Sequence, residues 1–120
     1  VRFSVWAPHA QKVSVVGDFN QWDIEANPME RCGAGNGIWV TYIEGLQEGD
    51  IYKYAVTTSS GEVLMKSDPY AFWSEVRPNT ASKITKLRYT WKDKKWQNSR
   101  EQYDSYRKPM LTYEVHLGSW

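Results

Sequence analysis

Hydrophobic and polar residues alternate with a period of two in several short runs, and turn residues separate these runs. The first run places Val1, Phe3 and Val5 between polar Arg2 and Ser4. A period of two puts successive side chains on opposite faces of a strand, so the run predicts a half-buried β-strand. Further strands are predicted at 13–16, 29–32, 38–43, 51–58 and 63–65. Short strands with turns between them are typical of an all-β sandwich of antiparallel strands.

Beyond residue 68 the alternation weakens. Short strands are predicted at 70–73 and 82–85, and the polar stretch 92–106 predicts one short helix. The last clear strand pattern covers 111–117, after Pro109. A strand pattern so near the end of the chain has little left to pair with, so we interpret the chain as a fragment of a longer protein.

Charge rises and periodicity fades between the sandwich and this last strand, which is typical of a linker. We therefore expect a β-sandwich at 1–88, a linker with a short helix at 89–110, and a strand of a further domain at 111–120. The sequence shows no internal repeat that would predict another organisation.

The composition narrows the possible partners. The chain has 7 Trp and 8 Tyr in 120 residues, too many to bury in one small core, so some rings should lie at the surface. A net charge of +1 provides no strong field for nucleic acid, and the basic tract 92–96 is interpreted as a solvated face. No apolar run is long enough to span a bilayer, so we expect neither nucleic acid nor membrane as a partner.

Cys32 is the only cysteine, so no disulfide can form within the chain. A single cysteine favours a reducing, cytoplasmic location. The two histidines, His9 and His116, have no cysteine or histidine partner at the spacing of a zinc site. The 14 carboxylates form no recognisable acid–base motif, and neither a phosphate-binding loop nor a Gly-x-Ser-x-Gly motif occurs. We therefore predict no catalytic residue, metal site or cofactor in this chain.

A possible binding site begins at the turn 17–22, which directly follows a predicted strand. Gly17, Asp18 and Asn20 favour a turn there that projects Trp22 outward. A rigid ring at a turn can stack on the apolar face of a sugar. A Trp packed into the core beneath the turn is an equally good interpretation from the pattern alone. Trp39, at the start of a strand, is predicted to pack against the core.

A second candidate for sugar binding is Lys53. The period of two puts Tyr52, Tyr54 and Val56 on one face of the strand 51–58 and Lys53 on the other. An ammonium group on the outer face can donate hydrogen bonds to sugar hydroxyls. A solvated surface lysine is the more common role at such a position.

Several motifs resemble, in order, the landmarks of the glycogen- and starch-binding module found in branching enzymes, isoamylase-type debranching enzymes and the β subunit of AMP-activated protein kinase. They lie at 1–8, 15–22, 37–39 and 52–54. The resemblance implies an immunoglobulin-like β-sandwich. Segments 67–82 and 113–120 resemble the bacterial branching-enzyme version, and the second is similar to the first strand of that enzyme's catalytic (β/α) barrel.

The resemblance also implies a function. Branching enzymes cleave an α-1,4-glucan and re-attach the segment through an α-1,6 bond, and their catalytic carboxylates match positions beyond Trp120. Glycan-binding members use a Trp matching Trp22 and a Lys matching Lys53, and we add Asn20 of the same turn to the expected carbohydrate-binding residues. These members also carry a second Trp after the next hairpin, where this chain has aliphatic residues at 63–65.

Three functions are consistent with these observations. The first is a non-catalytic module that binds or positions α-glucan, either glycogen or a linear chain, next to the catalytic barrel of the same polypeptide. The second is a structural domain that docks on this barrel and stabilises it. The third is a regulatory module of the debranching-enzyme or kinase-subunit type, against which segment 113–120 argues.

Overall fold

The computed structural model describes residues 1–33, 35–104 and 106–119. The chain divides into two compact units, Val1–Leu87 and Arg88–Trp120. The described residues of the first unit form seven strands: β1 (Arg2–Trp6), β2 (Lys12–Gly17), β3 (Glu30–Arg31), β4 (Ile38–Tyr42), β5 (Ile51–Thr57), β6 (Val63–Lys66) and β7 (Ser82–Lys83).

These strands make two sheets. The first sheet has the order β1–β4–β3, and the second has the order β2–β5–β6, with β7 pairing beside the start of β5. All of these pairs are antiparallel. The prediction of an all-β fold with an antiparallel, immunoglobulin-like sandwich is confirmed.

The core lies between the inner faces of the sheets. In the second sheet Val13 stands opposite Val56, and Val15 stands opposite Tyr54, so these side chains share the inner face. Phe3 of the first sheet packs edge-on against Tyr52, with ring centroids 5.0 Å apart. The buried core cluster comprises Phe3, Ala10, Val13, Val15, Met29, Trp39, Ile43, Tyr52, Tyr54 and Ile84. The predicted alternation of β1 and β5 therefore corresponds to the observed inner face.

The strand predicted at 29–32 is reduced to Glu30–Arg31, because the residues just before it pair with the other sheet. The N–H of Met29 donates to the carbonyl of Val13 at 2.8 Å, and the N–H of Val15 donates to the carbonyl of Asn27 at 3.0 Å. The chain thus leaves the edge of β2 and enters the first sheet within three residues. Such a crossing closes the sandwich along this side.

The strand predicted at 70–73 is wrong. Its backbone makes turn hydrogen bonds instead: Tyr70 donates to Oδ1 of Asp68 at 2.8 Å, and Ala71 donates to the carbonyl of Asp68 at 3.2 Å. The strand predicted at 82–85 is shorter than expected, at Ser82–Lys83. The long connection 67–81 is therefore a folded loop that covers one end of the second sheet.

The second unit contains the α-helix α1 (Lys94–Arg100), which confirms the predicted short helix, and a 3-10 turn at Leu117–Ser119. None of its described residues, 88–104 and 106–119, is buried. The strand predicted at 111–117 does not form here. A lone strand has no partner for its backbone groups, and the described residues of this unit contain no other strand. Trp120 lies outside the described residues.

Candidate functional site

The predicted turn at the end of β2 is present. Asp18–Asn20 form a short 3-10 helix, and Gln21 and Trp22 follow with positive φ angles of 51° and 61°. Two consecutive non-glycine residues in this left-handed region are unusual, and such a conformation persists only where neighbouring contacts hold it. The contacts that hold it here come from the side chain of Asn20 and from hydrogen bonds of Gln21 and Trp22 to Asp18 and Gly17.

The side chain of Asn20 ties the turn together. Its Oδ1 accepts from the N–H of Gly17 at 2.9 Å. Its Nδ2 donates to the carbonyl of Val15 at 2.9 Å and to Oδ1 of Asn27 at 2.7 Å. Both amide hydrogens are therefore used within the protein. In this arrangement Asn20 positions the turn and has no donor left for a sugar.

Gly17 is required at the start of the turn for steric reasons. A Cβ at this position would lie 2.2 Å from the carbonyl oxygen of Ile51 and 2.5 Å from the ring of Phe19. Its φ of −176° is ordinary extended backbone, so the constraint is the close approach of β5 and not the conformation. The start of the turn therefore packs closely against β5.

Trp22 is fixed at its backbone and at its ring. Its N–H donates to the carbonyl of Gly17 at 2.9 Å, and its indole Nε1 donates to Oδ1 of Asp18 at 2.7 Å. The side chain is partly exposed and does not belong to the core cluster. Of the two interpretations open from the sequence, the one that places this ring at the surface fits the structure. A ring held in this way loses little conformational entropy when a ligand stacks on it.

Lys53 lies on the outer face of β5, opposite Val16 and between the inward-facing Tyr52 and Tyr54. Its Nζ donates to Oγ1 of Thr80 at 2.7 Å. The structure brings Lys53 and Trp22 to the same end of the second sheet, because Gly17, which binds the backbone of Trp22, pairs with the residue before Lys53. The lysine is therefore partly buried and oriented by the loop 67–81.

The contact with Thr80 was not predicted. Thr80 lies 27 residues from Lys53 and belongs to a stretch with no strand periodicity, so no local pattern links the two residues. It also lines a cleft of about 330 Å³, which the loop 67–81 forms with Ser82. The lining residues include Ser67, Glu75, Arg77, Asn79 and Thr80. Hydroxyl, amide and charged groups thus continue the surface beyond Lys53.

A comparison with known protein families shows to which family this chain belongs. The family described as "Carbohydrate-binding module 48 (Isoamylase N-terminal domain)" matches residues 1–71, more than half of the 120 residues. The chain belongs to carbohydrate-binding module family 48. The matched residues include the turn that holds Trp22 and the strand that carries Lys53.

The family 48 chain is also similar to curated enzymes. It is 50% identical over 121 residues to the 1,4-alpha-glucan branching enzyme GlgB of Bacillus cereus (strain ATCC 14579), and 49% identical to that of Bacillus anthracis (strain CDC 684). Each alignment covers 100% of this chain and 19% of the enzyme. The chain therefore spans about a fifth of the length of these relatives and corresponds to their N-terminal region.

Solved structures show the same fold. A pullulanase from Bacillus acidopullulyticus matches with a TM-score of 0.58 and 30% identity, over 71% of this chain and 10% of the pullulanase. A Klebsiella pneumoniae pullulanase complexed with maltotriose matches with a TM-score of 0.57 and 30% identity, over 72% of this chain and 9% of that enzyme. The similarity covers most of this family 48 chain and a tenth or less of each pullulanase.

The second sugar-stacking ring of the glycan-binding members has no counterpart on β6 of this family 48 chain. Val63 and Met65 stand opposite Thr57 and Ala55 and share the outer face with Lys53. Both are aliphatic and 40–45% exposed. They offer apolar surface but no flat ring.

The inner face of β5 carries two tyrosines whose hydroxyl groups share the carboxylate of Asp68. The hydroxyl of Tyr52 donates to Oδ2 of Asp68 at 2.7 Å, and the hydroxyl of Tyr54 lies 3.4 Å from the same oxygen. Burial, reinforced by the hydrogen bond and charge of Asp68, raises the pKa of Tyr52 well above its usual value near 10. Burial and the charge of Asp68 raise the pKa of Tyr54 in the same direction. Both phenols therefore stay neutral and fix β5 beneath Lys53.

Trp39 packs into the core of the family 48 fold, as predicted. It is 5% exposed, and its Nε1 donates to the carbonyl of Ala7 at 2.9 Å. The guanidinium of Arg31 covers the ring at 4.8 Å from its centroid. Trp39 is therefore unavailable as a platform for sugar.

The described residues include no group of three or more His, Cys, Asp or Glu side chains that could hold a metal ion. No helix in the described part of the chain is both long and apolar enough to cross a membrane. The surface around Trp22 and Lys53 remains the best candidate for function.

Proposed function

We propose that this chain is the non-catalytic glucan-binding module of a 1,4-alpha-glucan branching enzyme, and that it binds α-glucan at the surface formed by Trp22 and Lys53. The observation that carries the proposal is the fixed indole of Trp22 at the end of the sheet where Lys53 emerges. Membership of family 48 and the 50% identity to a branching enzyme support it. Maltotriose bound to the pullulanase with the similar fold is consistent with an α-glucan as the ligand.

The two side chains have complementary tasks. The exposed face of the Trp22 ring stacks on the apolar face of a glucose unit, while its Nε1 remains bound to Asp18. The ammonium of Lys53 has three donors and gives one to Thr80, so two are available for sugar hydroxyls. The turn held by Asn20 keeps the ring in place before the sugar arrives. A site with one ring fits a millimolar dissociation constant, about −4 kcal/mol.

In the enzyme we propose, the module holds glycogen or a linear α-glucan near the catalytic barrel. The barrel cleaves an α-1,4 bond and forms an α-1,6 bond with carboxylates that lie outside this chain. In this assignment 111–120 begins the barrel and 89–110 is the linker. Glycogen synthesis of this type places the enzyme in the cytoplasm, as the single cysteine also favours.

Calorimetric or affinity-gel titration with maltoheptaose tests the proposal. We expect Trp22→Ala and Lys53→Met each to weaken binding on the order of tenfold, which corresponds to about 1.4 kcal/mol. Thr80→Val should weaken it less, because Lys53 remains present but loses its orienting partner. Trp6→Ala is the matched control, since Trp6 is 69% exposed and lies on the other sheet. Equal affinity of the native chain and Trp22→Ala would contradict the proposal.

A second candidate function is structural docking on the barrel. The absence of an aromatic ring at Val63 and Met65 favours it, because a weakened sugar surface leaves another role for the module. The two functions are separable by experiment. Docking would be unaffected by Trp22→Ala, whereas glucan binding would weaken.

A further inference from the structure

Four apolar side chains with substantial exposure lie close together in sequence on the loop 67–81. Tyr70 is 83% exposed, Phe72 is 77% exposed and Val76 is 86% exposed. Trp73, between them, is 45% exposed. We refer to these four residues as the 70–76 patch. Single exposed apolar residues are common, but four within seven positions are unusual on an otherwise polar loop.

The area of the patch is large for a unit of this size. An aromatic side chain covers roughly 150–250 Å², so the exposed parts of these residues add up to on the order of 400 Å². Patches of this extent on small proteins commonly mark interaction sites. The exposed area of the patch also lies within the range that one domain contributes to a domain–domain interface in the same chain.

The loop presents this patch in a defined conformation. The N–H of Lys83 donates to the carbonyl of Trp73 at 2.8 Å, and the N–H of Glu75 donates to the carbonyl of Ala81 at 2.9 Å. The ammonium of Lys83 lies 4.8 Å from the centroid of the Trp73 ring. The exposed side chains therefore belong to a preorganised surface, and binding a partner requires little ordering of the loop.

A cleft of about 280 Å³ lies beside the patch. Tyr70 and Phe72 form part of its wall, together with the core residues Phe3 and Tyr52. Its carboxylate, Asp68, already accepts from the hydroxyl of Tyr52 at 2.7 Å and from the N–H of Tyr70 at 2.8 Å. The cleft can thus receive an apolar side chain. The carboxylate of Asp68 already accepts hydrogen bonds within the protein, so it has little capacity left to bind the hydroxyls of a sugar.

We propose that the 70–76 patch and this cleft dock against the remainder of the polypeptide of the branching enzyme. The curated relatives indicate what covers the patch. This chain covers only 19% of their length, so four fifths of each polypeptide is joined to the matching module. Arg2 and Lys83 line the cleft and Arg77 follows Val76, so the facing surface should be apolar with acidic residues at its rim. The identity of the full-length protein as a branching enzyme rests on the proposed function, but the docking surface does not use Trp22 or Lys53.

The test compares one double variant in two settings. Tyr70→Ser/Phe72→Ser is made in the isolated chain and in the full-length branching enzyme that carries this module. Because both rings are exposed in the isolated chain, its melting temperature should change by no more than about 4 °C. In the full-length enzyme the same variant should speed proteolytic cleavage within 88–110 on the order of tenfold, because cleavage follows the population of the undocked state.

The matched control is Trp6→Ser/Tyr42→Ser, which removes two rings that are 69% and 72% exposed on the other sheet. It should leave the cleavage of the full-length enzyme unchanged. Several results would overturn the docking proposal: equal cleavage of the native enzyme and the 70–76 variant, an equal effect of the control, or unfolding of the isolated variant.

Two other occupants are separated by further measurements on the isolated chain. Concentration-dependent dimerisation that the 70–76 variant abolishes would show that a second copy covers the patch and would overturn the proposal. Loss of maltoheptaose affinity in this variant would assign the patch to sugar and would also overturn it. A failure of Trp22→Ala to reduce glucan affinity bears only on the proposed glucan site.

Discussion

Replacing Asn20 with alanine removes the side chain that connects the start of the turn with its far end. Three hydrogen bonds are lost, from the N–H of Gly17 and to Val15 and Asn27. Each contributes about 1 kcal/mol net, and part-buried groups that lose their partner add to the cost. We therefore expect Asn20→Ala to lower the free energy of unfolding by about 2–3 kcal/mol. In a domain of this size the melting temperature would fall by roughly 10–20 °C.

Asn20→Asp tests the same geometry more sharply. A carboxylate keeps the acceptor for the N–H of Gly17 but loses both donors. It also places a negative oxygen against the carbonyl of Val15 and Oδ1 of Asn27. At pH 7 this near-isosteric change should therefore destabilise the fold at least as much as Asn20→Ala.

Urea unfolding followed by tryptophan fluorescence measures both effects. Asn79→Ala is the matched control, because Asn79 makes one exposed bond of 3.3 Å to Glu75 and should cost less than about 0.5 kcal/mol. The reasoning is refuted if Asn20→Ala costs no more than the control, or if the aspartate variant is more stable than the alanine variant.

Two further predictions concern stability. Gly17→Ala should cost about 2–4 kcal/mol in urea unfolding, because the new Cβ would lie 2.2 Å from the backbone oxygen of Ile51; a cost below 1 kcal/mol would contradict this contact. The raised pKa values of Tyr52 and Tyr54 mean that the unfolded chain releases these protons first, so stability should fall as the pH rises above about 10. Tyr52→Phe/Tyr54→Phe should flatten this decline in a series of unfolding measurements from pH 8 to 11, and an equally steep decline would argue against the neutral pair at Asp68.

The strands of the first unit were largely predictable because each buries one face, which leaves a period of two in the sequence. β1 and β5 follow that pattern directly, and so the inner positions of Phe3, Tyr52 and Tyr54 were recognised. The boundaries that failed are those where the chain changes sheet, as at Met29. There, pairing with a strand that is distant in the sequence determines the structure, so the local pattern of residues does not predict it.

The run 70–73 was predicted as a strand because aromatic residues favour strands. It is a turn because Asp68 binds the backbone of Tyr70 and Ala71, a local competition that propensity does not include. Segment 111–117 has the pattern of a strand, but the described residues of its unit contain no strand with which it could pair. Its assignment to a barrel stays a prediction.

The candidate site was only partly accessible to sequence reasoning. Trp22 was placed at a turn by Gly17 and Asn20, and Lys53 was placed on the outer face by strand periodicity. The amide of Asn20, however, is used by the turn itself, and this depends on Asn27, seven residues away. The partner of Lys53, Thr80, depends on the folding of a long loop. Long-range contacts of this kind follow from the tertiary structure and not from local composition.

The central claim, that α-glucan binds at Trp22 and Lys53, is tested most directly by NMR titration of the isolated chain with maltoheptaose. The indole N–H groups of Trp22, Trp6 and Trp39 donate to different acceptors, so each provides a separate local probe. We predict saturable shifts of the Trp22 indole and of the Lys53 backbone amide at millimolar sugar, with the Trp6 and Trp39 indoles unchanged. Saturable shifts that cluster elsewhere, or none at millimolar sugar, would contradict the claim.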